Sequence, residues 1–188
     1  MIKIGITGSI ASGKTTASKI LSHKNGPLFS ADKIVKDLYK NNNFKKLLAK
    51  KFKIKEKFNL KNLLKRKILE NKTNIKILEK MIHPKVRKEM KKFSRIEKNK
   101  KIIFYEIPLL VESKLIKYFN IVIFIKAKKN IRLRRFELKG GERKLFNVLN
   151  NNQLSDSKKI KFCDHVVVNE KNLVMLKKKL LSIIKKYV

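Results

Sequence analysis

The 188-residue chain carries 50 Lys and Arg against 14 Asp and Glu, a net charge of +36, with 43% hydrophobic residues and a single cysteine. That apolar content excludes a disordered chain, and the length suits about one domain with room for a sub-domain. Cys163 alone excludes an internal disulfide or a cysteine metal cluster and fits a reducing, cytoplasmic setting. The charge raises the question of a nucleic-acid binder. Seven of the basic residues are arginine, leaving 43 lysines spread over the whole chain among abundant Asn and Ile. A dedicated nucleic-acid surface concentrates charge and uses Arg and aromatics. Even Lys/Asn/Ile enrichment reads instead as compositional drift, with only non-specific polyanion affinity at low salt.

Ile2 to Ile6 is an apolar, mostly β-branched run, the pattern of a buried strand. From Gly8 to Thr15 the chain spells G-x-x-x-x-G-K-T, followed at once by a helix-compatible segment, the arrangement of a phosphate-binding P-loop. Gly8 and Gly13 permit the backbone turns that point successive N–H groups at an anion. A helix starting at Lys14 adds its positive end, Lys14 reaches outer phosphates, and the Thr15 hydroxyl is placed for Mg²⁺. The alternative is a glycine turn that binds nothing. Three of only six glycines fall in this opening stretch, which disfavours it.

A stop signal at Asn25-Gly26-Pro27 ends that helix, and Pro27 to Ala31 reads as a second strand. Asp32 then stands at a strand's carboxyl end, where ligands sit in open parallel sheets. It is a candidate to face the γ-phosphate position and also to cap the helix that follows. Residues 43 to 98 carry no strand pattern. Apolar spacing predicts helices around 44–52, 60–68 and 75–82, and a fourth begun by His83-Pro84. This is a helical insertion suited to an acceptor; His83 by itself reads as a capping or core-edge histidine.

Lys101 to Glu106 is the next strand, and its terminal acid resembles the Walker B position that holds Mg²⁺, the alternative being an ordinary strand-end carboxylate. Asn120 to Ile125 is another buried strand. Four of the seven arginines fall between 132 and 143 around Gly140-Gly141, two arms of an arginine-rich lid. Val166 to Val168 is a last strand ending at Asn169, and Leu173 to Ile184 forms an amphipathic closing helix expected to cover the sheet. No apolar run approaches membrane-spanning length, and no signal peptide is expected.

Several stretches together resemble the dephospho-CoA kinase family. ITGSIASGKTT (6–16) resembles its P-loop, SAD (30–32) its D-A-D, and LEKMIHP (78–84) its L-E-x-x-x-H-P. YEIPLLVE (105–112) is similar to its D-x-P-L-L-x-E, NNQ (151–153) to the glutamine after its lid, and CDHVVVN (163–169) to its A-D-x-V-I-x-N. The resemblance implies transfer of the ATP γ-phosphoryl group to the ribose 3′-hydroxyl of dephospho-CoA, with ATP and Mg²⁺ as cofactors. The P-loop residues Gly8, Ser9, Ile10, Ala11, Ser12, Gly13, Lys14, Thr15 and Thr16 would bind ATP. Thr15 and Glu106 would serve the metal, and Asp32 and Lys14 the chemistry. Asp32, His83, Pro108, Leu109, Leu110 and Glu112 would bind the acceptor, Arg132 and Arg135 would clamp phosphates, and Asn169 would lie near adenine. Ser30 stands where the family has the first Asp of D-A-D, and Glu106 where it has Asp; the spacing around Arg134, Arg135 and Phe136 slips by one residue. The expected architecture is a single three-layer α/β P-loop domain, 1–188. Its sheet is mostly parallel with about five strands, with an acceptor sub-domain at 33–98 and a lid at 128–150. The expected partners are small molecules only, with no specific nucleic acid and no membrane, the chain being a monomer or weak homo-oligomer. The alternatives are another metabolite kinase, such as a nucleoside monophosphate kinase, and a nucleic-acid-binding P-loop protein.

Overall fold

The computed structural model describes residues 1–55 and 59–187; part of the expected 33–98 insertion, residues 56–58, lies outside them. Five strands, β1 (Ile2–Thr7), β2 (Leu28–Ser30), β3 (Ile102–Glu106), β4 (Ile121–Lys126) and β5 (His165–Val168), form one sheet in the order β2-β3-β1-β4-β5. Every pairing in it is parallel. A parallel sheet must be covered on both faces, and the near-continuous apolar strands follow from that. On one face Ile4, Ile6, Phe104, Ile123 and Ile125 pack beneath α1 (Lys14–Ser22) and α9 (Leu173–Ile184), through Leu21, Leu176 and Leu180. On the other, Ile103, Tyr105 and Val122 meet α2 (Ala31–Leu38), α5 (Thr73–Ile96) and the turn after β3. This is a three-layer α/β fold, with the P-loop leaving the carboxyl end of the central strand.

Between α2 and α5 run α3 (Asn42–Lys51) and α4 (Leu60–Glu70), which bury Phe44, Leu48, Leu60 and Leu64 in a cluster of their own. After β4 come α6 (Lys129–Glu137) and α7 (Arg143–Asn152), joined through the Gly140-Gly141 turn, and then a short α8 (Asp156–Ile160). No helix among the described residues is long and apolar enough to cross a membrane.

Two local expectations are corrected. Asp32 is not a helix cap. Helix α2 already begins at Ala31, and the Ser30 hydroxyl takes the capping position, accepting from the Lys33 N–H at 3.4 Å. A hydroxyl in extended backbone fills that role as well as a carboxylate does, which leaves the Asp32 side chain out of the cap. Next, His83-Pro84 does not start a helix. Pro84 lies inside the 24-residue α5, which continues unbroken from Thr73 to Ile96. The proline forfeits one backbone hydrogen bond, but Ile75 before it and Val86 and Met90 after it are all buried, so apolar packing holds one helix across the gap. Helix α8, five residues long, is too short to carry a periodic apolar pattern.

Candidate active site

Between β1 and α1 the backbone turns through Gly8 (φ 151°) and Gly13 (φ 96°), and Ala11 adopts a left-handed conformation (φ 57°). Both glycines are required by space as well. A Cβ on Gly8 would meet the Ile125 carbonyl oxygen at 2.4 Å, and one on Gly13 would meet the Asn169 amide nitrogen at 2.2 Å. The Asn169 Nδ2 donates to the Ser12 carbonyl at 2.9 Å, so the residue ending β5 holds the phosphate loop from outside. Lys14 is buried with its Nζ donating to the Ser9 carbonyl at 2.9 Å. Burial lowers its pKa to about 8, against the opposing pull of Asp32 and Glu106.

A cavity of about 510 Å³ opens over the loop, lined by Ala11, Gly13, Lys14, Thr15 and Thr16. Arg135, Leu138 and Asn169 also line it. Within the loop, Gly8, Ser9 and Ser12 do not line this cavity: Ser9 and Ser12 are buried, and the Ser9 hydroxyl donates to Asp156. The Ile10 N–H is likewise turned away, donating to Gln153 Oε1 at 3.2 Å.

A second cavity, of about 250 Å³, lies under α5 and is mostly apolar. His83, Pro108 and Leu109 line it. The other two residues expected there do not. Leu110 is fully buried in the core under the sheet, and Glu112 forms an ion pair with buried Lys159 at 2.7 Å. Two further residues line this cavity that were not among the expected site residues: Arg87, and Glu79, which entered only as part of the LEKMIHP stretch. Arg87 Nη2 donates to the Ser113 carbonyl at 2.7 Å, and Glu79 accepts from Asn152 at 3.2 Å. With His83 they form an i, i+4, i+8 polar stripe along one face of α5, the signal that could have found them. Burial, aided by Arg87, lowers the His83 pKa, so this imidazole is neutral at neutral pH.

Asp32 lines both cavities and a third, of about 280 Å³, between the P-loop and Leu149. It is the point at which the phosphate loop and the apolar cavity meet. Burial and the nearby Glu106 raise its pKa, with Lys14 acting in opposition. That combination suits a carboxylate that must accept a proton during a reaction.

Glu106, at the end of β3, is almost fully buried. Its Oε1 accepts from the Thr15 hydroxyl at 2.5 Å and its Oε2 from the Ser30 hydroxyl at 2.9 Å. Among the described residues no group of three His, Cys, Asp or Glu side chains could hold a metal alone. The oxygen donors of Thr15 and Glu106 do suit a hard divalent ion that takes its other ligands from nucleotide phosphates and water, the habit of Mg²⁺.

The two lid arginines, both expected to clamp phosphates, stand in different surroundings. Arg132 is buried, and its guanidinium is spent on the Ala127 carbonyl (3.0 Å), the Ile10 carbonyl (3.3 Å) and Asn150 Oδ1 (2.8 Å). It lines neither the nucleotide cavity nor the acceptor cavity, so here it is a strut between α6, α7 and the P-loop. Arg135 is the one that faces the nucleotide cavity, with Nη1 3.5 Å from the Ser12 carbonyl.

A parallel three-layer sheet, a P-loop on its central strand and a carboxylate between two cavities define a P-loop kinase. A family-wide profile described as dephospho-CoA kinase matches residues 2–174. The dephospho-CoA kinase of Fusobacterium nucleatum is 35% identical over 181 residues, covering 94% of this chain and 93% of that one. The chain belongs to the dephospho-CoA kinase family. Among solved structures, a Thermus thermophilus protein superposes with a TM-score of 0.78 at 27% identity, covering 100% of this chain and 98% of that one. Dephospho-CoA kinase from Campylobacter jejuni gives 0.66 at 28% identity, covering 98% and 96%.

The depressed Lys14 pKa sets an expectation for pH. In the free enzyme the ammonium loses its proton above about pH 8, and with it the charge that meets incoming phosphates. Because kcat/KM reports the free enzyme, kcat/KM for ATP should fall above about pH 8. The limb in kcat should lie higher, since bound phosphates restore the proton to Lys14. A pH–rate profile that stays flat in kcat/KM to about pH 9.5 would contradict this.

Proposed function

We propose that the protein transfers the γ-phosphoryl group of ATP to the ribose 3′-hydroxyl of dephospho-CoA, releasing ADP and CoA. The observation that carries this reading is Asp32, a carboxylate shared by a phosphate-loop cavity and a separate, mostly apolar cavity. In-line transfer needs the acceptor oxygen aimed at the γ-phosphorus, and little else by way of covalent chemistry. Asp32 accepts a hydrogen bond from the 3′-hydroxyl and takes its proton as the new P–O bond forms. The P-loop N–H groups and Lys14 carry the charge on the ATP phosphates, and Arg135 adds a donor from the lid side. Bound at Thr15 and Glu106, Mg²⁺ would supply charge neutralisation to the phosphates. His83, Pro108 and Leu109 line the acceptor pocket, Arg87 contributes a fixed positive charge there, and Asn169 borders the nucleotide.

Residues 33–98 act as the acceptor sub-domain and 128–150 as a lid that closes on nucleotide. Hydrogen exchange across 128–150 should slow when a non-hydrolysable ATP analogue binds; unchanged exchange with the analogue bound would remove the lid from the mechanism. The enzyme works in the cytoplasm as a monomer or weak homo-oligomer, without a nucleic-acid or membrane partner. Its +36 charge is distributed rather than a recognition surface. Binding to any duplex or RNA should therefore be weak, indifferent to sequence and lost by moderate salt. A preferred sequence held at physiological salt would overturn that. An acceptor panel with labelled ATP tests the reaction: label should pass to dephospho-CoA and not to nucleoside monophosphates.

A further inference from the structure

The P-loop is shaped from behind by a polar assembly of which Gln153 alone also lines a cavity, the third one, shared with Asp32 and Lys14. Its centre is Lys159 on α8, which is completely buried. Its ammonium pairs with Glu112 Oε1 at 2.7 Å and reaches Gln153 Oε1 at 3.4 Å. The same Gln153 oxygen accepts the Ile10 N–H at 3.2 Å, and the same Glu112 oxygen accepts the Leu154 N–H at 3.1 Å. Three residues beyond Gln153, Asp156 accepts from the Ser9 hydroxyl. One short segment, 153–159, thus grips two consecutive P-loop residues.

What that grip accomplishes follows from the loop itself. The Ile10 peptide N–H points out of the loop, towards Gln153, and the next residue, Ala11, holds a left-handed conformation that an L-residue adopts only at a cost. The turned-out Ile10 N–H and the strained Ala11 are therefore joined features. If Gln153 releases Ile10, its N–H loses the bond that holds it outward, only the Arg132 contact to the Ile10 carbonyl and the Asp156 contact to Ser9 remain, and Ala11 is freer to relax and spoil the phosphate cradle. Because an amide side chain can swing or flip, its oxygen needs an anchor. The buried ammonium of Lys159 supplies one, and Glu112 neutralises that ammonium.

We infer that Gln153, anchored by the Lys159–Glu112 ion pair, is a positioning residue that sets the conformation of the P-loop at Ile10 and Ala11 for binding ATP phosphates. Glu112, expected from sequence at the acceptor, serves the nucleotide side instead. The inference rests on the P-loop being the ATP site, and direct binding of MgATP by the wild-type protein checks that separately.

The test pairs two variants with two readouts, MgATP affinity by calorimetry and the thermal transition. Gln153→Met keeps the size but removes the acceptor. It should weaken MgATP binding about tenfold, the worth of roughly one hydrogen bond and the order it imposes, while dephospho-CoA affinity and the thermal midpoint change little. Lys159→Met alone strands the Glu112 carboxylate and is expected to destabilise the fold, so it is read together with Glu112→Gln. The double variant should recover the thermal midpoint, since removing both buried charges is far milder than removing one, yet still bind MgATP weakly because Gln153 is unanchored. Wild-type MgATP affinity in Gln153→Met, or recovery of both stability and affinity in the double variant, would overturn the inference and reduce the assembly to ordinary core support.

Discussion

Asp32→Asn should slow phosphoryl transfer by roughly 10²- to 10⁴-fold, the usual worth of a positioned proton acceptor, at saturating acceptor and Mg²⁺. ATP affinity should change little, because the phosphates are held by the P-loop and Lys14. The structure sharpens the control. Since Ser30 and not Asp32 caps α2, Asp32→Ala carries no capping loss, and the two Asp32 variants should show similar defects and similar thermal midpoints. Ser30→Ala is then the variant that tests the cap, on the order of 1 kcal/mol, and it also withdraws a hydroxyl from Glu106. A steady-state comparison of the Asn and Ala variants with the wild type decides the matter. Near-wild-type turnover by Asp32→Asn would leave the reaction without an identified base.

Lys14→Ala should cost roughly 10²- to 10³-fold or more in kcat, the usual loss when a donor aimed at transition-state charge is removed. It should not cost stability. The lowered Lys14 pKa means that burial disfavours its charged form in the folded protein, so deleting that charge relieves a desolvation penalty, at the expense only of the link to the Ser9 carbonyl. Activity assays run beside a thermal melt distinguish the cases: inactive with the transition retained or raised is expected, and loss of the transition would make Lys14 a structural residue instead.

Features whose cause is local in sequence were legible there. Gly8, Gly13, Lys14 and Thr15 announce a phosphate loop because its backbone geometry demands those residues at those intervals. The apolar strand runs announce a parallel sheet because both of its faces are buried. Asp32, Glu106 and Asn169 could be placed because each stands at the end of such a strand. The rest depended on tertiary packing. Pro84 looked like a helix start, but Ile75, Val86 and Met90 hold α5 through it. Arg132 and Arg135 cannot be ranked by spacing, since what separates them is which guanidinium finds buried carbonyls and which finds the open cavity. Leu110 and Glu112 sit in one apolar-acidic run with Pro108 and Leu109, yet the turn after β3 sends them in different directions. Gln153 stood out only by resemblance, in NNQ, and Lys159 not at all, because what they do depends on Ile10 and Glu112, which are distant in sequence.

The most direct test of the central claim is the fate of the phosphoryl group. Dephospho-CoA incubated with ATP, Mg²⁺ and the enzyme should yield one ADP per molecule of product, and phosphorus NMR should show a single new phosphomonoester on the ribose 3′-oxygen. ADP released without phosphorylated dephospho-CoA, or a phosphate found at any other position, would contradict it.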